Sequence, residues 1–119
     1  MNNPTLTIGN NKVYEGHNIE VLKTFADNSF DSIITDPPYE LGFMGKTWDN
    51  SGIAYSVELW RECLRVLKPG GHLLAFGGSR TWHRLAVAIE DAVFYVERHW
   101  ASFLARNCEP NTFVKIRRV

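Results

Sequence analysis

Four consecutive residues, Asp36-Pro37-Pro38-Tyr39, place a carboxylate, two prolines and an aromatic ring directly after the β-branched run at residues 32–35. The prolines fix their own φ angles and hold Asp36 and Pro37 in extended geometry. Because proline has no N–H, the Asp36 carboxylate and the two proline carbonyls form a short edge rich in hydrogen-bond acceptors and poor in donors. Such an edge suits a substrate that brings donors, and the exocyclic amino group of adenine or cytosine brings two.

The aromatic ring of Tyr39 fits the same class of substrate. Stacking a base on an aromatic side chain contributes about 1–3 kcal/mol, which offsets the few kcal/mol needed to pull a base out of a duplex. Two acceptors that hold both amino hydrogens draw the nitrogen toward tetrahedral geometry and free its lone pair for an electrophile. The alternative interpretation of the four residues is an ordinary rigid turn that closes a strand.

The sequence before Asp36 predicts the elements that would position Asp36-Pro37-Pro38-Tyr39, which we call the corner. Residues 5–14 alternate weakly around a turn at Gly9, which predicts a short strand or hairpin. Apolar residues at helical spacing predict a helix over residues 18–26 with Asn18 as its N-cap. Residues 30–35 predict a strand. This strand, helix, strand order implies that the first and last of these segments form a parallel pair joined by a crossover.

A second unit of the same kind follows the corner. Residues 54–67 carry apolar side chains on one helical face and predict an amphipathic helix. Pro69-Gly70-Gly71 predicts its end, and Lys68-Pro69-Gly70-Gly71 predicts a plain turn. The apolar run at residues 73–76 predicts a buried parallel strand. Beyond Gly77-Gly78-Ser79, the spacing of the apolar residues predicts another helix, whose inward positions are Trp82, Leu85, Ala86 and Ile89. Residues 94–100 predict a strand, and residues 112–119 a short strand or frayed end.

The composition limits the classes of protein that the chain can belong to. A length of 119 residues predicts one domain. The 13 basic and 13 acidic residues cancel, so any contact with nucleic acid must come from local patches. Cys63 and Cys108 are too few for a disulfide framework and lie at no usual metal-ligand spacing from the four histidines, so we expect reduced thiols and no metal. No apolar run reaches membrane-spanning length, and the polar start predicts a cytoplasmic protein.

Three further segments accompany the tetrapeptide, and they are Gly16-x-x-Ile19-x-Val21-Leu22, Asp31-Ser32-Ile33-Ile34-Thr35 and Leu67-Lys68-Pro69-Gly70-Gly71-His72-Leu73-Leu74. Together the four segments resemble, in the same order, the amino-methylating DNA methyltransferases that place their catalytic half first and act on adenine N6 or cytosine N4. The resemblance runs from about residue 13 to about residue 96. It implies an α/β protein with a three-layer, Rossmann-like methyltransferase fold and a mostly parallel sheet.

The resemblance also implies a cofactor, a partner and a set of site residues. The cofactor is S-adenosylmethionine, and double-stranded DNA is the partner. Asp36, Pro37, Pro38 and Tyr39 are the expected catalytic residues. Asp36, Gly77 and His17 are expected to bind the cofactor, although the family commonly has Asp where this chain has His17.

Residues 40–52 form a glycine-rich loop directly after the tetrapeptide, in which Lys46 and Trp48 are candidates to meet a phosphate and a base. The equal alternative is that Trp48 and Phe43 pack back on the core as a hydrophobic lid. Arg80, beside a helix start, is a third candidate contact to nucleic acid, and a solvated side chain is its alternative.

The resemblance covers only part of the family pattern. Neither a target-recognition region nor a Phe-x-Gly-x-Gly-type cofactor loop is found. We therefore predict an incomplete fold, with a catalytic half at residues 1–101, a divergent tail at residues 102–119, and a possible second chain that supplies the rest. Two other functions stay open, namely a remnant or subunit that binds DNA or a partner without turnover, and a methyltransferase acting on RNA or on a protein glutamine.

Overall fold

The computed structural model describes residues 3–42, 45, 47, 51–92 and 112–117. The elements in chain order are the strands β1 (Leu6–Ile8) and β2 (Asn11–Val13), helix α1 (Asn18–Lys23), strand β3 (Phe30–Thr35), a 3₁₀ helix (Ile53–Tyr55), helix α2 (Val57–Val66), strand β4 (Leu67–Gly77), helix α3 (Trp82–Ala92) and strand β5 (Thr112–Arg117). The predicted strand at residues 94–100 and the loop before β5 lie outside the described residues.

The first two strands form the predicted hairpin, but the hairpin does not join the main sheet. β1 and β2 pair with each other in antiparallel fashion and make a separate two-stranded sheet. Leu6, Ile8 and Val13 share one face of the hairpin, and each side chain is at least half exposed. The predicted parallel pairing of this region with residues 30–35 is therefore wrong. Two strands of three residues joined by a tight turn pair their main-chain hydrogen-bonding groups with each other. They bury too little apolar surface to pack against the core.

The main sheet has the order β3-β4-β5 in the described residues. β3 and β4 are parallel, with Ile33 opposite Leu73 and Thr35 opposite Ala75. β5 pairs with the other edge of β4 in antiparallel fashion. The strand predicted at residues 30–35 and the buried parallel strand predicted at 73–76 are both confirmed, and α2 supplies the crossover that a parallel pair requires.

The Lys-Pro-Gly-Gly segment behaves differently from the turn that the sequence predicts. Helix α2 ends at Val66, and β4 begins at once with Leu67. The register between β3 and β4 then jumps from Phe30 opposite Leu67 to Ser32 opposite His72, so the four residues between form an irregularity inside the strand. A Cβ on Gly71 would lie 2.8 Å from the main-chain oxygen of Asp31, and glycine is what permits this close approach.

One core joins the three helices to one face of the sheet. α1 contacts α2, and α2 contacts α3 and β4. The most deeply buried large side chains are Val66, Leu67, Leu73, Ile89 and Trp60. Trp60 also satisfies its polar atom, because Nε1 donates to the carbonyl of Ala54 at 2.8 Å. The opposite face of the sheet carries Ile34, whose side chain is 71% exposed.

Helix ends depart from the predicted bounds by a few residues. α1 ends at Lys23 rather than residue 26, and its N-cap position is His17 rather than Asn18. Asn18 is instead the first helical residue, and its Oδ1 accepts from the Ile19 N–H at 2.8 Å. α2 begins at Val57, because Ser56 caps it by accepting from the Leu59 N–H.

The described elements therefore form part of a Rossmann-like α/β fold, with an antiparallel strand added to its small parallel sheet. Leu85 and Ile89 of α3 are buried, and Ala86 and Trp82 are half-buried, as the sequence predicts. No helix in the described ranges is long and apolar enough to cross a membrane. The division at residue 101 stays a prediction.

Candidate functional site

The Asp-Pro-Pro-Tyr corner lies where β3 leaves the sheet. β3 ends at Thr35, and the chain turns so that Asp36 is exposed, Pro37 is buried, and Pro38 and Tyr39 are half-buried. Thr35 pairs with Ala75 of β4, so the corner and the end of β4 at Gly77 lie at the same edge of the sheet. Open α/β sheets bind ligands outside the carboxyl ends of their strands, which is where this corner stands.

A cavity of about 460 Å³ opens beside the corner. Asp36, Pro37 and Pro38 line one side of it. The other walls come from the segment around α1, from β3 and from α2, and they include Tyr14, Gly16, Asn18, Val21, Ile33, Ile34, Thr35, Leu59, Trp60 and Cys63. A mostly apolar hollow of this size with a few polar groups at one end is typical of a site for a small molecule.

Cys63 forms part of the buried wall of this cavity. Burial raises the pKa of its thiol to about 11, with a smaller contribution from the charge of Glu62. Cys63 therefore stays protonated near neutral pH and is a poor nucleophile. We assign it to packing rather than to chemistry.

Tyr39 is fixed to the turn that precedes α3. The hydroxyl of Thr81 donates to the main-chain carbonyl of Tyr39 at 2.8 Å. Gly78 lies against the side chain, because a Cβ on Gly78 would be 3.3 Å from Cδ2 of the Tyr39 ring. Burial, followed by hydrogen bonding and the charge of Asp36, raises the pKa of the Tyr39 phenol above its ordinary value. The ring and the carboxylate of the corner are therefore close neighbours.

Glu40, directly after the corner, is hydrogen-bonded to residues at the end of the loop that follows it. It adopts the left-handed conformation, with φ of 57°, which is uncommon for a residue other than glycine. Its carboxylate accepts hydrogen bonds from the Gly52 N–H at 3.0 Å and from the Ala54 N–H at 3.4 Å. These bonds bring the start and the end of the loop together at the first turn of the 3₁₀ helix.

The cofactor-binding candidates occupy different positions relative to the cavity. Asp36 lines it, and so do Gly16 and Asn18, the neighbours of His17. His17 itself is exposed and caps α1, where its carbonyl accepts from the Val21 N–H at 2.9 Å. Gly77 faces α3 instead, since a Cβ there would lie 3.1 Å from Leu85. Its small size is thus explained by helix packing, and its contact with a cofactor stays a prediction.

Of the candidate contacts to nucleic acid, the structure describes one. Arg80 is exposed in the turn before α3, next to Thr81, which bonds Tyr39. It therefore projects from the segment that supports the corner. Lys46 and Trp48 lie outside the described residues. Within the described part of the chain, no group of three or more His, Cys, Asp or Glu side chains is arranged to hold a metal ion.

Sequence reasoning did not identify Thr81, Gly78 as a support for Tyr39, or Glu40. Thr81 and Tyr39 are 42 positions apart, and no spacing rule links them. The walls that α2 gives to the cavity were also missed, because a helical face with Leu59, Trp60 and Cys63 has the same pattern as any core-facing helix. For Glu40 the sequence held one weak indication, an acidic residue directly after a rigid corner.

The fold and the corner together define a class of protein, the Rossmann-like methylases. A family model described as DNA methylase matches residues 30–111. The chain therefore belongs to this DNA methylase family. The match includes β3, the Asp-Pro-Pro-Tyr corner, α2, β4 and α3.

Individual relatives agree with the family match. The chain is 46% identical over 67 residues to the type II methyltransferase M.HpaI of Haemophilus parainfluenzae, an alignment that covers 52% of this chain and 21% of that protein. It is 30% identical over 105 residues to the type II methyltransferase M.HinfI of Haemophilus influenzae, covering 72% of this chain and 29% of that protein.

A solved structure shows the same fold. The Thermus thermophilus protein TTHA0409, assigned as a DNA modification methylase, superposes with a TM-score of 0.58 at 20% sequence identity, covering 87% of this chain and 50% of that one. The chain thus spans less than a third of the two curated relatives and half of the solved structure.

Proposed function

We propose that this chain carries the amine-orienting part of a DNA methyltransferase, which moves a methyl group from S-adenosylmethionine to adenine N6 or cytosine N4. The observation that carries the proposal is the corner itself, where an exposed carboxylate lines a cavity at the carboxyl end of β3 and the Tyr39 ring lies next to that carboxylate. Membership of the DNA methylase family supports it.

The corner residues take distinct roles in this reaction. The Asp36 carboxylate and the Pro37 carbonyl accept the two hydrogens of the amino group and orient its lone pair. Tyr39 stacks on the flipped base. Holding two reactants in near-attack geometry can supply about 7–11 kcal/mol of the barrier reduction, so orientation carries most of the catalysis. Asp36 accepts the proton once the amino nitrogen has become cationic.

The residues around the cavity fit the cofactor. A volume of about 460 Å³ lies in the range of small-molecule sites. The apolar walls suit the uncharged parts of S-adenosylmethionine, and Asp36 at the rim suits its positive charge. When bound, the cofactor supplies an electrophilic methyl group on a sulfonium. His17 would meet its adenosine half from the start of α1, and Gly77 would border it from the end of β4.

Contacts to DNA are assigned to the surface around the corner. Arg80 would meet a phosphate from the turn before α3, while Lys46 and Trp48 would act from the loop after Tyr39. Adenine and cytosine both present an exocyclic amino group to the same acceptors, so both stay within the proposal.

A second candidate function is a subunit that binds DNA or another chain without turnover by itself. The chain spans only 21% and 29% of the two type II methyltransferases. Under this second candidate function, another chain supplies the cofactor loop and the target-recognition region. The division into a catalytic half at residues 1–101 and a tail at residues 102–119 belongs to this proposal.

Calorimetric titration with S-adenosylmethionine separates the two candidates. Val21 of α1 lines the cavity, is half-buried and does not belong to the hydrophobic core cluster, so Val21→Trp should narrow the cavity without disturbing the core. Val87 of α3 is 53% exposed and is not among the cavity-lining residues, so Val87→Trp is the matched control. We expect saturable binding by the wild type and by Val87→Trp, and at least tenfold weaker binding by Val21→Trp. No binding by the wild type would favour the non-catalytic subunit.

A further inference from the structure

We propose that the turn from Gly78 to Thr81 positions the ring of Tyr39, with Thr81 as a positioning residue that never touches the base. This inference rests on the proposed function, in which Tyr39 is the platform for the flipped base. It assigns to the start of α3 a role in base binding that is separate from any contact made by Arg80.

The first observation is the hydrogen bond from the Thr81 hydroxyl to the Tyr39 carbonyl, 2.8 Å long and partly buried. Thr81 is itself held firmly, because its own carbonyl accepts from the N–H groups of Arg84 at 3.0 Å and Leu85 at 3.4 Å as α3 begins. Leu85 is buried in the core. The bond therefore connects the backbone of Tyr39 to a helix that is anchored in the interior.

The second observation is the space under the ring. A Cβ on Gly78 would lie 3.3 Å from Cδ2 and 3.5 Å from Cβ of Tyr39, and it would also lie 3.5 Å from Oγ1 of Thr81. The carbonyl of Gly78 accepts from the Thr81 and Trp82 N–H groups at 3.1 and 2.8 Å, so the turn is closed and cannot easily give way. Gly78 is not among the residues with positive φ, so an alanine fits its backbone and acts only by volume.

The two contacts act on different parts of the same residue. Thr81 holds the main chain of Tyr39 by a hydrogen bond. Gly78, which has no side chain, leaves the space that the Tyr39 ring occupies. Tyr39 is also flanked by Pro38, whose φ is fixed by its own ring, and by Glu40 in the left-handed conformation. With the backbone set in this way, the ring has little freedom to turn before a base arrives. A preorganised platform binds more tightly because less is ordered on binding.

The test combines a spectroscopic readout with a binding readout. The chain is labelled with 3-fluorotyrosine, and the ¹⁹F resonance of Tyr39 is identified by its absence in Tyr39→Phe. Affinity is measured by fluorescence with a duplex that carries one unpaired 2-aminopurine, because an unpaired base costs least to extrude. Thr81→Val removes the hydroxyl at nearly constant volume, Thr81→Ser keeps the hydroxyl, and Gly78→Ala intrudes on the ring.

We expect Thr81→Val to shift and broaden the Tyr39 resonance and to weaken duplex binding about 2- to 10-fold. Thr81→Ser should restore both. Gly78→Ala should shift the same resonance and weaken duplex binding without loss of helix content. If Thr81→Val does not fold, the result for Gly78→Ala alone tests whether the turn positions Tyr39. An unchanged Tyr39 resonance in both Thr81→Val and Gly78→Ala would overturn the inference, as would equal effects of Val and Ser at position 81. If the two variants shift the Tyr39 resonance but the wild type binds no duplex, the proposed function is overturned and the positioning of Tyr39 stands.

Discussion

The carboxylate of Asp36 is exposed although the adjacent residue, Pro37, is buried. This relationship allows a charged group to stand at the rim of a cavity on a backbone that cannot move, because the proline ring is packed inside and its φ is fixed. A flexible residue in place of Pro37 would give Asp36 the freedom that an orienting group must not have.

Pro37→Ala should therefore lower stability by about 1–2 kcal/mol, since it frees the unfolded chain and removes buried ring atoms. The measurement is urea unfolding followed by circular dichroism. Pro69 is exposed within β4, and Pro69→Ala is the control that retains the packing. Equal losses for the two variants would show that the burial of Pro37 is unimportant.

Glu40 should matter for stability more than its position at a loop suggests. Its carboxylate accepts from two main-chain N–H groups, those of Gly52 and Ala54. Glu40→Ala removes these bonds and keeps the unfavourable left-handed φ, so we expect a loss of about 1–3 kcal/mol in the free energy of unfolding. Glu40→Gly relieves the φ and should cost less than alanine.

Glu58 provides the comparison for Glu40. Its partner is Lys23 at 3.0 Å, and both side chains are largely exposed. Such a surface pair contributes little, so Glu58→Ala should change stability by no more than about 0.5 kcal/mol. A Glu40→Ala variant as stable as Glu58→Ala would refute the role of Glu40 in closing the loop.

The thiol of Cys63 should make the fold sensitive to alkali. Burial raises its pKa from an ordinary 9.0 to about 11. Between these values the unfolded chain has lost the proton and the folded chain still holds it, so stability falls as pH rises from about 9 to about 11. The loss attributable to Cys63 is about 2–3 kcal/mol.

The measurement for Cys63 is the urea midpoint at a series of pH values. Cys63→Ala should be less stable at pH 7 because a buried group is shortened, yet its decline above pH 9 should be shallower. The phenol of Tyr39 adds a contribution of the same sign, since its pKa is also raised and its stabilisation is lost above about pH 10. A decline in Cys63→Ala parallel to that of the wild type would show that the thiol does not titrate as described.

Local patterns predicted much of this fold because the decisive interactions are local. The strand Phe30–Thr35 follows from its β-branched residues, and the rigid corner follows from two prolines in succession. α3 follows from apolar spacing that matches its buried face. The resemblance to the DNA methylases, which the family match confirms, also came from local segments.

What could not be predicted depends on which distant segments meet. The sequence indicates that residues 5–14 are extended, but it does not show that they pair only with each other in the described residues. The Lys68–Gly71 segment has turn composition and yet lies inside β4, because the register of the parallel pair absorbs the extra residues. Thr81 reaches Tyr39 only after two strands have brought their ends together.

The most direct test of the central proposal is methyl transfer from labelled S-adenosylmethionine to duplex DNA by the wild type, Asp36→Asn and Asp31→Asn. Asp31 is exposed on the same strand and pairs at the surface with Lys68, so its variant controls for the loss of one carboxylate. We expect transfer by the wild type and by Asp31→Asn, at least about a 100-fold slower rate for Asp36→Asn, and a label on an exocyclic nitrogen after nucleoside digestion. A wild-type rate in Asp36→Asn, or a label on a ring carbon, would contradict the role assigned to the corner.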